Sequence, residues 1–262
     1  MGDGGWSKWL HTGWSAHGGV TAAELAATGF RGPRHGLDHR YGLYGAFLGR
    51  PDAELSRLTD GLGQTWLGAS AHAKLYPCAH VIQPYIDGAL AVRSAKLATA
   101  NVSVESIAAV RCVMAPWAIP IVAEPRANKI APRNDLEAIA SLPFMVAAAF
   151  VEGRVDLRTL DPGTIENPAI RALAARIVCA ADPALGSGFD GRMDVTFHDG
   201  DPLSRTVGIA PPDRTRIMAK FNANTNGRNR TACDELLRVL GDGAPRAREL
   251  MRLAHTAMAG TT

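Results

Sequence analysis

The chain has 262 residues and lacks a strong charge of either sign: 28 Lys plus Arg against 25 Asp plus Glu leave +3. So small an excess predicts no strong surface field and argues against a dedicated nucleic-acid binder. Long apolar runs are lacking too, since the longest uninterrupted one is Phe144 to Val151, far short of the ~20 residues that cross a bilayer. Cysteine is sparse and scattered. Cys78, Cys112, Cys179 and Cys233 form no close pair, which excludes a zinc knuckle or clustered iron–sulfur ligation and predicts buried, reduced thiols. There is no Gly-Lys-Ser/Thr phosphate loop and no Gly-x-Ser-x-Gly elbow, which argues against Walker-type nucleotide binding and a serine hydrolase.

The opening Met-Gly-Asp-Gly-Gly-Trp has no basic segment followed by an apolar one, and Trp6 stands where a myristoylation signal wants Ser or Thr. The expectation is a cytoplasmic protein without a membrane partner. His35 and His39 are four apart with Asp38 between them, but Gly32-Pro33 and Gly36 argue against the helix that would present both to zinc. No metal is expected.

What is present is a globular composition, 47% hydrophobic and 20% charged, with length for one large or two smaller domains. Six of the eight His and four of the five Trp fall before position 81, in a region rich in Gly that reads as site-bearing. Small-residue helices are expected over Gly18 to Thr28, closed by Gly29, and over Asp52 to Leu62; Pro84 to Ala100 carries a clearer helical period. Val104 to Met114 reads as a strand ending at Ala115-Pro116. Asn134 to Val151 reads as a helix capped by Asn134 or Asp135, kinked or split by Pro143 and stopped by Gly153. The next helix starts at Asn167-Pro168 and carries Ile170, Leu173, Ala174, Ile177 and Val178 on one face. Arg192 to His198 and Leu203 to Ile209 alternate around Asp199-Gly200-Asp201 as a hairpin. After Pro211-Pro212 the chain is helical over Arg214 to Asn224, Thr231 to Leu240 and Ala244 to Met258. This tail holds nine basic and five acidic residues, interspersed with Leu and Ala as on solvated helix faces. The fold class is mixed α and β, mainly helical.

Two segments concentrate polar groups beside small residues. Lys8-Trp9-Leu10-His11-Thr12-Gly13-Trp14-Ser15-Ala16-His17-Gly18-Gly19 offers a Lys and two His on what reads as a Gly-broken turn entering a helix, an arrangement suited to a carboxylate. His72-Ala73-Lys74-Leu75-Tyr76-Pro77-Cys78-Ala79-His80 offers a second Lys and His on a loop stiffened by Pro77. Together they supply cations for a bound carboxylate and imidazoles for proton transfer beside it.

These segments, with Phe30-Arg31-Gly32-Pro33, Arg40-Tyr41-Gly42-Leu43-Tyr44-Gly45-Ala46-Phe47, Leu142-Pro143-Phe144-Met145-Val146-Ala147-Ala148-Ala149 and Lys220-Phe221, resemble the MmgE/PrpD family. Its members include 2-methylcitrate dehydratase, cis-aconitate decarboxylase and an iminodisuccinate epimerase. The resemblance implies an all-helical domain, incomplete here, interrupted by a smaller α+β lid. Its boundaries are 1–100 for the helical domain, 101–210 for the lid and 211–262 for the return to the helical domain. It also implies a site between the domains for small polycarboxylates, with no metal, iron–sulfur cluster or other cofactor. Carried over by position, Lys8 and Lys74 match substrate-binding lysines, and His80 lies one step after the catalytic histidine of the decarboxylase pattern, where Ala79 stands. With the imidazoles of the first segment added, the expected assignment is His80, Lys8 and His11 as catalytic and Lys74, Lys8 and His17 as substrate-binding, with His11 or His17 assisting at the departing hydroxyl. The implied reaction is that of a hydro-lyase, 2-methylcitrate dehydratase-like. Phe144 replaces a frequent site tyrosine, and residue 1 falls in the middle of the family pattern. The implied partners are a homodimer mate or a polypeptide supplying the N-terminal helical region. The alternative is a family member that acts through protein interaction without turnover.

Overall fold

A computed structural model describes residues 5–49, 54–97, 103–199, 202–209, 211, 213–241 and 246–259, in two units. The first, Gly5 to His72, is organised by α1 (Ser7–Ala27) and α2 (Leu43–Leu48). Helix α1 begins eleven residues before the expected Gly18 and runs through Gly13, Gly18 and Gly19 without a break. Glycine costs a helix about 1 kcal/mol relative to Ala but does not forbid it. Gly29, at φ +91°, follows the helix end as expected. Among the described residues of the second expected helix only a single turn, Leu55–Leu58, forms, and the expected start at Asp52 lies outside them. No residue of α1 or α2 is buried.

The second unit takes in the described residues from Ala73 onward. Its elements in order are α3 (Gln83–Val92), β1 (Ile107–Met114), α4 (Ile119–Val122), α5 (Arg126–Ile130), α6 (Asp135–Ile139), α7 (Leu142–Glu152), α8 (Pro162–Ile165), α9 (Pro168–Ala175), β2 (Ile177–Ala181), β3 (Gly191–Phe197) and β4 (Leu203–Val207), then α10 (Arg214–Asn224), α11 (Arg230–Gly241) and α12 (Ala247–Met258). Pro143 does split the helix expected over Asn134 to Val151. Asn134 caps α6 by accepting from Glu137 N at 2.9 Å, and Ser141 caps α7 by accepting from Phe144 N at 3.0 Å. Pro143 then sits in the first turn of α7, where its missing N–H costs nothing, and Gly153 ends the helix at φ +69°. Every residue from Ser141 to Phe150 is buried, as a helix apolar on all sides requires.

The sheet has the order β2-β1-β3-β4. Val110 pairs in parallel with Ile177 and antiparallel with Val195, and Val195 pairs in turn with Leu203. The β3–β4 hairpin is the expected one, although Gly200 and Asp201 of its turn lie outside the described residues. Strand β2 corrects the sequence reading: Ile177 and Val178 leave the α9 face and enter the sheet. A short Ile-Val-Cys-Ala-Ala run carries no period that separates helix from strand, and pairing with Val110 to Met114 decides it. Helix α3 is fixed to the sheet where the Tyr85 hydroxyl donates to Val113 O at 2.6 Å. Gly191 makes room for this, since a Cβ there would stand 2.0 Å from that hydroxyl. The C-terminal helices α10 to α12 follow the expected order, and Ala232, Cys233 and Ala257 form a small second cluster beside Phe221.

The result is a mixed α and β chain, mainly helical. Residues 98–102 and Ala210, where the expected domain boundaries fall, lie outside the described residues.

Candidate functional site

The loop from Lys74 to His80 has no helix or strand of its own, so its backbone polar groups need partners from elsewhere. Gln83, the first residue of α3 and only 6% exposed, supplies most of them. Its Oε1 accepts from Leu75 N at 2.9 Å and Tyr76 N at 3.0 Å; its Nε2 donates to Tyr76 O at 2.9 Å and to Cys78 Sγ at 3.1 Å. Both donors and both lone pairs of the amide are thus used. Ala79 N donates to Ile139 O at 2.8 Å, which ties the far end of the loop to the end of α6. From α10, Lys220 Nζ donates to Lys74 O at 2.5 Å.

One turn along α3, Asp87 accepts from the Tyr76 hydroxyl and from Arg216 Nη2, both at 2.5 Å. Burial, then the Asp87 carboxylate, push the Tyr76 hydroxyl well above its ordinary pKa. Tyr76 therefore stays a neutral hydrogen-bond donor at physiological pH. A groove of about 300 Å³ opens beside this network, lined by Leu75, Tyr76, Arg154, Asp156, Arg216 and Lys220 among others. Burial raises the Cys78 thiol to about 12, against a smaller downward pull from Lys74, which makes it an unreactive packing residue.

His80 opens the turn that leads into α3 and is half-buried. Its ring stacks on Phe189, with centroids 5.0 Å apart and planes 14° apart, and Phe189 meets Trp117 edge-on at 5.8 Å. The imidazole is thus held against an aromatic wall built from the residues after β1 and before β3. Lys74 is exposed at the other end of the same loop. The loop therefore presents an ammonium and an imidazole on one anchored segment.

Lys8, His11 and His17 all lie on α1 and are exposed. The Gly-broken turn expected there is instead continuous helix. At about 100° per residue, Lys8 and His11 share a face one turn apart, while His17 points to the opposite side, its ring 5.6 Å from that of Trp14. His35 Nδ1 lies 3.3 Å from Asp38 Oδ1, and His39 Nδ1 accepts from Tyr41 N at 3.3 Å. Phe144 is fully buried in the core around α7, so it offers no surface to a ligand.

A second cavity, about 260 Å³, lies beside Lys129 and Glu137. Lys129 Nζ donates to Ile121 O at 2.9 Å and Ala140 O at 2.7 Å, and Ser141 Oγ donates to Lys129 O at 2.5 Å. Burial lowers the Lys129 pKa, while a side-chain hydrogen bond from Arg133 holds the Glu137 carboxyl below its ordinary range. These groups tie α4, α5 and α6 to the start of α7.

Sequence reasoning singled out Lys74 and His80 and passed over Gln83, Asp87, Arg216 and Phe189, which the structure places around the same loop. Gln83 and Asp87 had a local signal: polar residues four apart on an otherwise apolar helix that directly follows the loop. Arg216, Lys220 and Phe189 are distant in sequence, so only the fold brings them to it.

Residues 76–239 match the MmgE/PrpD C-terminal domain. No curated protein matches the chain.

Proposed function

The chain belongs to the MmgE/PrpD family, and from that premise we propose a lyase for small polycarboxylates, using the 2-methylcitrate dehydratase type of reaction. A proton leaves the carbon beside a bound carboxylate and water is lost. The observation that carries this reading is the anchored Lys74–His80 loop, with its ammonium at one end and its imidazole at the other. Lys74 holds a substrate carboxylate and lowers the cost of the enolate-like charge that develops beside it. His80 takes the proton from carbon; its stacking on Phe189 limits the orientations of the ring and directs the transfer. The resemblance matches Lys8 to a carboxylate-binding lysine, and His11 is proposed to assist at the departing hydroxyl. His17, on the other face of α1, is given no step. The proposed division of the chain remains a helical domain of 1–100 and 211–262 interrupted in sequence by a lid of 101–210, working without a cofactor as a homodimer or with a polypeptide that supplies the N-terminal helical region.

A purified sample should be assayed against methylcitrate, citrate, cis-aconitate and iminodisuccinate. His80→Ala should lower turnover of the active substrate by ~10²–10⁴ with the fold intact; full activity in that variant would remove His80 from the mechanism. A second reading, a family member that acts through protein interaction, is favoured by the 75% and 67% exposure of Trp6 and Trp14 and by the buried phenyl ring of Phe144. Failure of all four substrates would put it ahead.

A further inference from the structure

The Lys74–Leu75 peptide is held at both of its polar ends. Its carbonyl accepts from Lys220 Nζ at 2.5 Å, and its N–H donates to Gln83 Oε1 at 2.9 Å. A peptide unit is planar, so holding both ends fixes the plane that starts at the Lys74 Cα and removes one of the freedoms that set where its side chain leaves the backbone. We propose that Gln83 and Lys220 are positioning residues that clamp this peptide plane and aim the Lys74 ammonium at a substrate carboxylate. The proposal rests on the role given to Lys74 above.

Three observations support a positioning role over simple packing. Lys74 is exposed, so water could satisfy its carbonyl equally well. Holding a long lysine side chain in one rotamer to do so costs conformational entropy, while an exposed hydrogen bond returns little stability. What the contact does secure is direction. Second, Lys220 comes from α10 and Gln83 from α3, so the two grips are independent and together leave the plane little freedom. Third, Asp87 takes Arg216 as its ion-pair partner at 2.5 Å, whereas Lys220 makes no ion pair among the described residues. Its charge is therefore left to add to that of Lys74, and two ammonium groups around one peptide suit a ligand with more than one carboxylate.

The test compares the intact protein with Lys220→Met, Lys220→Arg, Gln83→Ala and Lys74→Ala. It measures amide hydrogen exchange at Leu75 and Tyr76, citrate affinity by calorimetry, kcat and KM on any substrate turned over, and thermal midpoint. Lys220→Met should speed Leu75 exchange and weaken citrate binding by about tenfold, as expected for a misaimed binding group, with the midpoint nearly unchanged. Lys220→Arg, which keeps a cationic donor, should recover most of the affinity. Gln83→Ala should speed exchange at both amides. Because Gln83 is buried, its loss can also destabilise the fold, so the variants at half-buried Lys220 carry the decision. Unchanged Leu75 exchange in Lys220→Met would overturn the clamp. Faster exchange with parental citrate affinity and kinetics, while Lys74→Ala loses both, would overturn its positioning role. Parental affinity in Lys74→Ala, or no citrate binding by the parent, would instead sink the reading of Lys74, and the aiming role with it; the exchange arm would then decide the clamp on its own.

Discussion

The two units spend their apolar residues in opposite ways. From Ala73 onward, one continuous core joins α3, α7, α9 and the inner face of the sheet, with Tyr85, Phe144, Phe150 and Ile107 wholly out of water. Between Gly5 and His72, Gly42 is the one residue that reaches full burial among those described, while Trp6, Trp9, Trp14 and Trp66 all stand more than half exposed. Hydrophobic burial is the dominant favourable term in folding. Helix content is therefore a poor guide to stability here: α1 is the longest helix of the described chain, yet its support is its own backbone ladder. A helix without a packed face is marginal in water.

Removal of one aromatic ring from each unit should separate the two. Phe150→Ala in α7 should cost about 3–5 kcal/mol in denaturant unfolding, through lost transfer energy and the cavity left behind. If it cost under 1 kcal/mol, the continuous core would be misjudged. Acid should act on the same unit. Glu137 is held below the ordinary carboxylate range by Arg133, and Asp156 is held low by Arg158 and Arg154 in spite of the upward push of burial. A carboxylate with a lowered native pKa contributes fully above its unfolded value of about 4, and that contribution is lost as pH falls through the native value. Stability of the second unit, followed by near-ultraviolet dichroism, should therefore fall progressively below about pH 4; a flat profile down to pH 2 would refute it. A smaller loss, about 1–2 kcal/mol, is expected for Gly153→Ala, because φ is +69° and the new Cβ would meet the Arg93 side chain at 2.6 Å. The smallest effect belongs to the first unit. Trp14→Ala should change unfolding by no more than about 0.5 kcal/mol, and a loss above 2 kcal/mol would show that its ring is covered in solution.

The same contrast explains how much could be read from the sequence. Signals that act within one turn were legible. Asn134 as a cap, Pro143 as a split and Gly153 as a stop all behave as their backbone chemistry dictates, and the hairpin of β3 and β4 follows its alternation. Strand β2 was not legible, because what makes Ile177 to Ala181 a strand is a partner more than sixty positions earlier. The glycines of α1 misled for the opposite reason: glycine weakens a helix without ending it, so a Gly-rich run marks no boundary by itself. For the candidate site, residue types were visible at Lys74 and His80, and the groups that hold them were passed over. Gln83 had a local signal, as a polar residue opening an apolar helix right after the loop, whereas the bond from Lys220 depends on geometry that no spacing in the chain encodes.

The position of β1 has a consequence for how the protein is made. It is the first of the four sheet strands in chain order, yet it lies inside the sheet and pairs on both edges. Both neighbours are encoded after α4 to α9, so during translation Ile107 to Met114 emerges with two open edges and a single charge, Arg111. An unpaired apolar strand is a template for pairing with other chains, and non-local strand pairing is slow to form. The nascent chain thus passes through a stage in which its future centre is its most adhesive segment. Yield at high expression should depend on how fast the ribosome delivers Ile177 to Phe197, and slowing elongation across α4 to α9 should drive more of the product into aggregates.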